Sequence, residues 1–116
     1  MTKALQVAVE NLARAIGESE ECREYQALKE RVMEEETTRA LLKEYRKEQT
    51  ALQMMAMAGQ EPGEEAVQRF SRLSGLLYTQ QEAAQYLLAE IRLQKLTGEV
   101  FQELAKAAGI DLELPG

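Results

Sequence analysis

The sequence predicts an all-α protein of about five helices, arranged as a helical bundle with long antiparallel helices. Helix-favouring Ala, Leu, Glu, Gln, Lys and Arg dominate the chain, β-branched residues are sparse, and proline occurs only at Pro62 and Pro115. Apolar residues recur every three or four positions, which is the spacing of one helix face. Two glycines and a proline at 59–63 remove helix propensity and a backbone donor, so a loop is predicted there.

The first helix is predicted over about residues 3–16 and ends at Gly17. Ser19 is predicted to cap the second helix, because its hydroxyl can accept a hydrogen bond from a first-turn amide. Each of these helices carries one apolar stripe. The stripes consist of Leu5, Val9, Leu12 and Ile16, and of Cys22, Tyr25, Leu28 and Val32.

The acidic and threonine-rich run at 34–38 interrupts the second stripe. This run fits either a turn or a solvated bend in one continuous helix, and we favour a tight joint. A third helix then continues to Ala58, with an apolar set of Leu41, Leu42, Tyr45, Leu52 and Met55 or Ala56. The loop at 59–63 is expected to divide a single domain, residues 1–116, into two helical halves.

The fourth helix is predicted over about residues 64–78, with Ala66, Phe70, Leu73 and Leu77 on one face. Thr79 and Glu82 have the spacing of a capping box, so a new helix is expected to begin there and to reach about Ala108. The apolar residues of this last helix occupy more than one stripe, which predicts neighbours on two sides. Gly109 fits the left-handed position after a helix, and residues 110–116 are expected to form a tail.

Composition argues against most catalytic and cofactor chemistry. The chain has no histidine, so the commonest acid-base group and metal ligand is missing, and we predict no enzyme activity, no metal and no cofactor. The single cysteine, Cys22, excludes an intrachain disulfide and favours a reduced, cytoplasmic protein. The net charge of −6 argues against direct nucleic-acid binding, and no apolar run is long enough to indicate a membrane anchor or a signal sequence.

Several side chains are candidates for binding a partner. Met54, Met55 and Met57 cannot all face one core at helical spacing, so they indicate either an adaptable partner surface or ordinary core and dimer packing. Tyr78 and Tyr86 combine an apolar ring with a polar tip, which suits an interface and equally a structural role. By contrast, Cys22 is interpreted as a core residue and the acidic run 34–36 as a solvated helix start.

The pattern of the last third of the chain extends the prediction to a family. It is similar to that of the YlbF/YmcA/YheA family of small bacterial helical proteins, and so are the Ser19 to Tyr25 helix opening and the Leu41 to Gln49 stretch. The resemblance therefore covers nearly the whole chain. The residues that carry it in the last third are Tyr78, Gln81, Ala84, Tyr86, Leu87, Ala89, Glu90, Leu93 and Leu96, with Val100 and Leu104 behind them.

The resemblance implies a homodimeric, non-catalytic helical protein. One branch of the family is associated with a complex that modulates ribonuclease Y, and hence mRNA processing, competence, sporulation and biofilm formation. Clusters of iron and sulfur associated with that complex would need ligands from other subunits here, since Cys22 is alone, and none is predicted. The predicted interface residues are Met54, Met55, Met57, Tyr78, Tyr86, Leu87, Glu90 and Leu93.

The first functional hypothesis is thus a regulatory adapter that binds itself, paralogous helical proteins or the ribonuclease Y machinery. A bundle dimer that binds a small apolar ligand between its helices is the alternative from another class. An uncharacterised structural protein of the YheA type is a further alternative.

Overall fold

The computed structural model describes residues 1–110, and this part of the chain consists of α-helices joined by short turns, with no strand. The predicted all-α class with five helices is confirmed. Of the predicted tail, residues 111–116 lie outside the described residues. The helices are α1 (Lys3–Gly17), α2 (Glu20–Glu34), α3 (Glu36–Met57), α4 (Glu64–Thr79) and α5 (Gln81–Ala108).

Side-chain hydroxyls cap the first two helices. The backbone N–H of Cys22 donates to Ser19 Oγ over 3.2 Å, so the predicted cap of α2 is confirmed. Thr2 caps α1 in the same way, with a distance of 3.2 Å from the Leu5 nitrogen to Thr2 Oγ1. Each cap satisfies an amide that would otherwise lack a partner in the first turn.

The joint between α2 and α3 is a single residue, as predicted. Glu35 has extended backbone angles (φ −89°, ψ 118°) and is solvent-exposed with its acidic neighbours Glu34 and Glu36. Arg39 Nη1 donates to the carbonyl oxygen of Met33 over 3.1 Å, which places a cation at the end of α2 where carbonyls lack helical partners. The run 34–36 is therefore solvated as predicted, but only Glu36 begins a helix, because Glu34 ends α2 and Glu35 is the joint.

The joint between α4 and α5 is also one residue, Gln80, but the predicted capping box is wrong. Thr79 lies within α4, and its hydroxyl donates to the carbonyl oxygen of Leu76 over 2.6 Å. Because Thr79 is the last residue of α4 and α5 begins at Gln81, the N-cap position of α5 falls on Gln80 and not on Thr79. The new helix itself begins at Gln81, close to the predicted position.

Glycine ends α3 and α5 with the same backbone motif. Gly59 (φ 72°) and Gly109 (φ 73°) adopt the left-handed conformation, which confirms the prediction for Gly109. After α3, the Gln60 N–H donates to the Met55 carbonyl oxygen. After α5, the Ile110 N–H donates to the Ala105 carbonyl oxygen. The nitrogen–oxygen distance is 2.9 Å in both bonds. These bonds satisfy terminal carbonyls that have no helical partner.

The chain divides into two compact units, whose boundaries fall inside α2 and α5. Unit 2 comprises Leu28–Leu87, and unit 1 comprises Met1–Ala27 together with Leu88–Gly116. The 59–63 loop lies inside unit 2, between α3 and α4, which pack against each other. The division of the domain into helical halves at that loop stays a prediction.

Unit 2 contains a well-formed core. The rings of Tyr45 and Phe70 stack with centroids 5.0 Å apart, which holds α3 against α4. Thr38 is buried, and its hydroxyl donates to Gln80 Oε1 over 2.9 Å, so its polar atom has a partner. The buried residues of unit 2 are Leu28, Val32, Thr38, Leu42, Tyr45, Leu77, Ala83, Tyr86 and Leu87.

Unit 1 buries far less. Among its described residues, only Ala89 and Ala105 are buried, and both are alanines. No residue of α1 is buried. Much of the apolar surface of unit 1 therefore stays in contact with water. Because burial of large apolar side chains is the main source of stability, unit 1 gains less from its own packing than unit 2 does.

Candidate protein-interaction site

In unit 1, one side of α5 contacts α2. Ala89, Leu93, Leu96 and Val100 follow one another at spacings of four and three residues and are buried or half-buried. Arg92 Nη1 lies 3.0 Å from Glu24 Oε1, an ion pair that joins this part of α5 to the first half of α2. We call Ala89, Leu93, Leu96 and Val100 the inner seam of α5.

A second side of α5 has the same kind of spacing and is uncovered. Ile91, Gly98 and Phe101 lie seven and three residues apart, which keeps them on one side of the helix, and we call them the open seam. Ile91 is 52% exposed and Phe101 59% exposed. A Cβ placed on Gly98 would meet no atom within 4 Å, so the helix backbone itself is accessible between these two side chains.

Further apolar side chains of unit 1 are similarly uncovered. Leu88 and Leu104 of α5 are about half exposed, and so are Leu5 and Val9 on the apolar stripe of α1. Ile91 and Leu104 are both more than half exposed, so no side chain in the described part of this chain covers them fully. Uncovered apolar surface of this kind is a candidate site for binding another chain.

The methionines lie near the end of α3 and point in different directions, as their spacing requires. Met54 is 65% exposed and Met57 88% exposed, whereas Met55 is half-buried. Met54 and Met57 are three residues apart, so they share one side of the helix. Both side chains present a flexible thioether to solvent, which suits a partner surface.

The other predicted interface residues occupy several environments. Tyr78 is exposed at the end of α4, and Glu90 and Leu93 are half-buried. Tyr86 and Leu87 lie in the unit 2 core, where both side chains contribute to folding of the chain itself. Their role in an interface, like that of the whole predicted set, stays a prediction.

Charged side chains line several hollows on the described surface. One hollow, about 390 Å³, is formed by the two helix joints and includes Glu35, Thr38, Gln80 and Glu82. A second, about 340 Å³, lies between α3 and α4, with Leu73 and Leu76 at its base. A third, about 240 Å³, lies between α2 and α5 in unit 1. The charges in these walls do not favour a small apolar ligand.

Metal binding, a role for the single cysteine and membrane insertion are alternatives to a protein-binding site. Within residues 1–110, no three or more Cys, Asp or Glu side chains come close enough to hold a metal ion. Cys22 is half-buried. No helix in this part of the chain combines the length and the apolar character needed to cross a bilayer. The open seam and the exposed methionines are thus the prominent features of the described surface.

These features define a class: a small all-α protein that leaves apolar helix surface uncovered, as proteins that assemble by helix packing do. The chain belongs to the family described as control of competence regulator ComK, YlbF/YmcA, whose model matches residues 6–107. The similarity predicted from the residue pattern is confirmed.

Curated relatives match the chain over almost its whole length. A UPF0342 protein of Symbiobacterium thermophilum is 30% identical over 102 residues, covering 88% of this chain and 91% of the relative. A UPF0342 protein of Halothermothrix orenii is 30% identical over 111 residues, covering 96% of this chain and 91% of the relative.

Two solved structures share the fold. A protein of unknown function (DUF964) from Bacillus stearothermophilus superimposes with a TM-score of 0.78 at 20% identity, covering 92% of this chain and 94% of the other. A chain of the crystal structure of Bacillus subtilis RicA in complex with RicF superimposes with a TM-score of 0.64 at 22% identity, covering 94% and 96%.

Proposed function

We propose that this protein is a non-catalytic regulatory adapter of the bacterial cytoplasm, which acts by binding other protein chains. The observation that carries the proposal is the open seam of α5, where Ile91 and Phe101 remain more than half exposed. The seam has helix-packing spacing, and its centre, Gly98, offers a bare backbone for close approach of another helix.

The energy available from this surface supports assembly. Full burial of a Leu, Ile or Phe side chain contributes about 1.5–3 kcal/mol, so side chains that are half exposed retain roughly half of that gain. For Ile91 and Phe101 of the open seam this amounts to about 1.5–3 kcal/mol per chain, or about 3–6 kcal/mol for two copies. The α1 stripe adds to this, and the sum is comparable with the association cost of about 4–15 kcal/mol.

The proposed occupant of the open seam is a second copy of this chain, which makes the protein a homodimer. Two-fold symmetry lets the same apolar seam cover itself, so no further complementary surface is needed. The crystal structure of RicA in complex with RicF supports a role for this fold in binding other chains. A paralogous helical protein with a similar seam could occupy the same surface. The experiment below distinguishes pairing with a paralogue from pairing with a second copy.

The proposed process is regulation of competence, as in the family's description. The finer proposal, which comes from the family resemblance, is that the adapter modulates mRNA processing by ribonuclease Y and thereby competence, sporulation and biofilm formation. The missing histidine and the lack of a metal-binding group within residues 1–110 fit an adapter better than a catalyst.

The experiment is affinity capture of the tagged full-length chain from its native host at physiological salt, followed by mass spectrometry of the bound proteins. We compare the natural chain with Ile91→Asp, which places a charge in the open seam, and with Leu76→Asp as a matched control. Leu76 is an apolar residue of similar exposure that lies in unit 2.

We expect the natural chain and Leu76→Asp to recover an untagged copy of the protein together with components of the ribonuclease Y machinery. Ile91→Asp should lose the second copy. Recovery of a paralogue in place of the second copy would contradict the homodimer and keep the adapter. Equal recovery by all three proteins would contradict the seam as the binding site.

A further inference from the structure

One side of α3 is basic, although the chain as a whole is acidic with a net charge of −6. Arg39, Lys43 and Lys47 lie four residues apart, and Arg46 falls beside them at a spacing of seven from Arg39. These spacings place the four cations along one side of the helix. Met54 and Met57 continue the same side toward the end of α3. We call these six residues the basic face: Arg39, Lys43, Arg46, Lys47, Met54 and Met57.

The two arginines of the basic face have structural contacts, and these fix their charges in place. Arg39 donates to the Met33 carbonyl oxygen. The Arg46 guanidinium carbon lies 6.0 Å from the ring centroid of Tyr45 and 5.9 Å from that of Tyr86, within the range of a cation–π interaction. Both guanidinium groups are therefore held in place by contacts within unit 2.

The two lysines are available for a partner. Lys43 and Lys47 are exposed, and no carboxylate of residues 1–110 lies within ion-pair distance of either ammonium group. The acidic residues of the same stretch, Glu44 and Glu48, lie on another side of α3. Glu48 Oε1 is 3.8 Å from Arg69 Nε of α4, so this carboxylate faces the α3–α4 hollow.

The order of residues along the face describes the complementary partner. Lys43 and Lys47 are separated by about 6 Å along the helix axis, and Met54 follows Lys47 after about 10 Å. A helix with carboxylates one turn apart, followed two turns later by apolar residues, matches this order. The exposed methionines add apolar area that a nucleic acid backbone could not use, and the net charge of −6 disfavours a long polyanion.

We infer that the basic face of α3 binds an acidic amphipathic helix of a partner protein. Carboxylates of that helix pair with Lys43 and Lys47, and its apolar residues cover Met54 and Met57. Charge complementarity sets the register and speeds association, while methionine flexibility accommodates the apolar end. The inference rests on the proposed adapter role, but it uses unit 2, whereas self-association uses the open seam of unit 1.

The test is fluorescence anisotropy of a labelled synthetic helical peptide titrated with the full-length protein. The probe carries three glutamates spaced four residues apart and two leucines placed two turns beyond them. A matched peptide with lysine in place of each glutamate is the charge control. Titrations at low and physiological salt measure the electrostatic share of the affinity.

Three protein variants locate the site. Lys43→Glu/Lys47→Glu should weaken binding at least about tenfold and reduce the salt dependence, because two attractive pairs become repulsive. Met54→Gln/Met57→Gln should weaken binding about threefold or more, with the salt dependence unchanged. Arg31→Glu/Arg72→Glu makes the same change in net charge on exposed residues off the face, and it should bind within about twofold of the natural chain.

Circular dichroism of each variant checks the fold, and light scattering checks the oligomer. The expected result is that all three variants keep the natural molar mass. If Lys43→Glu/Lys47→Glu breaks the self-associated form, the face belongs to a second copy and the inference is overturned. It is equally overturned if the acidic peptide fails to bind, or if only a single-stranded RNA oligonucleotide or a vesicle of anionic lipid binds through these lysines.

Discussion

Replacement of Gly98 by alanine should stabilise the single chain and weaken the dimer. A Cβ at Gly98 meets no atom within 4 Å in the chain, so the substitution is free of steric cost there. Alanine in a helix interior is more favourable than glycine by about 0.5–1 kcal/mol, because glycine loses more backbone freedom on folding. Urea unfolding of a chain made monomeric by Phe101→Asp should therefore show a gain of about that size when Gly98→Ala is added.

In the proposed dimer, the same substitution should be unfavourable, because it weakens association of the two copies. If two copies pair through the open seam, the partner helix approaches at Gly98, where the backbone is bare, and two added methyl groups would meet there. Overpacking of a close contact costs about 1–3 kcal/mol, which corresponds to a dissociation constant roughly 5-fold to 150-fold larger. Sedimentation equilibrium over a range of protein concentrations measures this change directly.

Gly75→Ala is the matched control. Gly75 also lies in a helix interior, in α4 of unit 2, and a Cβ there likewise meets nothing within 4 Å. It should give the same gain in the free energy of unfolding with no loss of self-association. If Gly98→Ala and Gly75→Ala behave alike in both assays, the open seam is not the surface through which two copies pair.

Three further substitutions test the fold. Leu87→Asp should reduce the free energy of unfolding by about 3–5 kcal/mol in a urea titration, because Leu87 is buried in unit 2 and the aspartate would have no partner; a change below about 1 kcal/mol would contradict this placement. Ser19→Ala removes the cap of α2 and should cost about 1 kcal/mol, whereas Ser71→Ala, at an exposed position inside α4, should not destabilise the chain. Glu35→Gln should stay within about 0.5 kcal/mol of the natural chain, since the side chain is exposed and forms no cap hydrogen bond; a larger thermal shift in calorimetry would expose an unrecognised network.

Local signals in the sequence predicted the helices well. Ser19 and Gly109 act within one turn of the chain, so their roles follow from residue type and position alone. The exception is Thr79, whose spacing to Glu82 matches a capping box although α4 includes Thr79 and its hydroxyl donates back to Leu76. The sequence signal was therefore one residue away from the true start of α5, where Gln80 is the joint.

The candidate site could be predicted only in part. The sequence indicates that α5 has apolar residues on two sides, but Ile91 and Leu93 are equivalent in hydrophobicity, and long-range packing decides that Leu93 is half-buried and Ile91 uncovered. The poor burial of unit 1 has the same origin. The basic face has a local sequence signal, the four-residue spacing of Arg39, Lys43 and Lys47. The net charge of the chain, −6, does not reveal this signal, because it sums over all residues.

The proposed pairing of this chain with a second copy through the open seam of α5 can be tested by molar mass. Sedimentation equilibrium at micromolar concentrations compares the natural chain with Phe101→Asp. We expect about 26 kDa, twice the chain mass of 13.1 kDa, for the natural protein, and about 13 kDa for a folded Phe101→Asp. A natural chain that sediments as a monomer, or a Phe101→Asp variant that remains dimeric, would rule out this pairing.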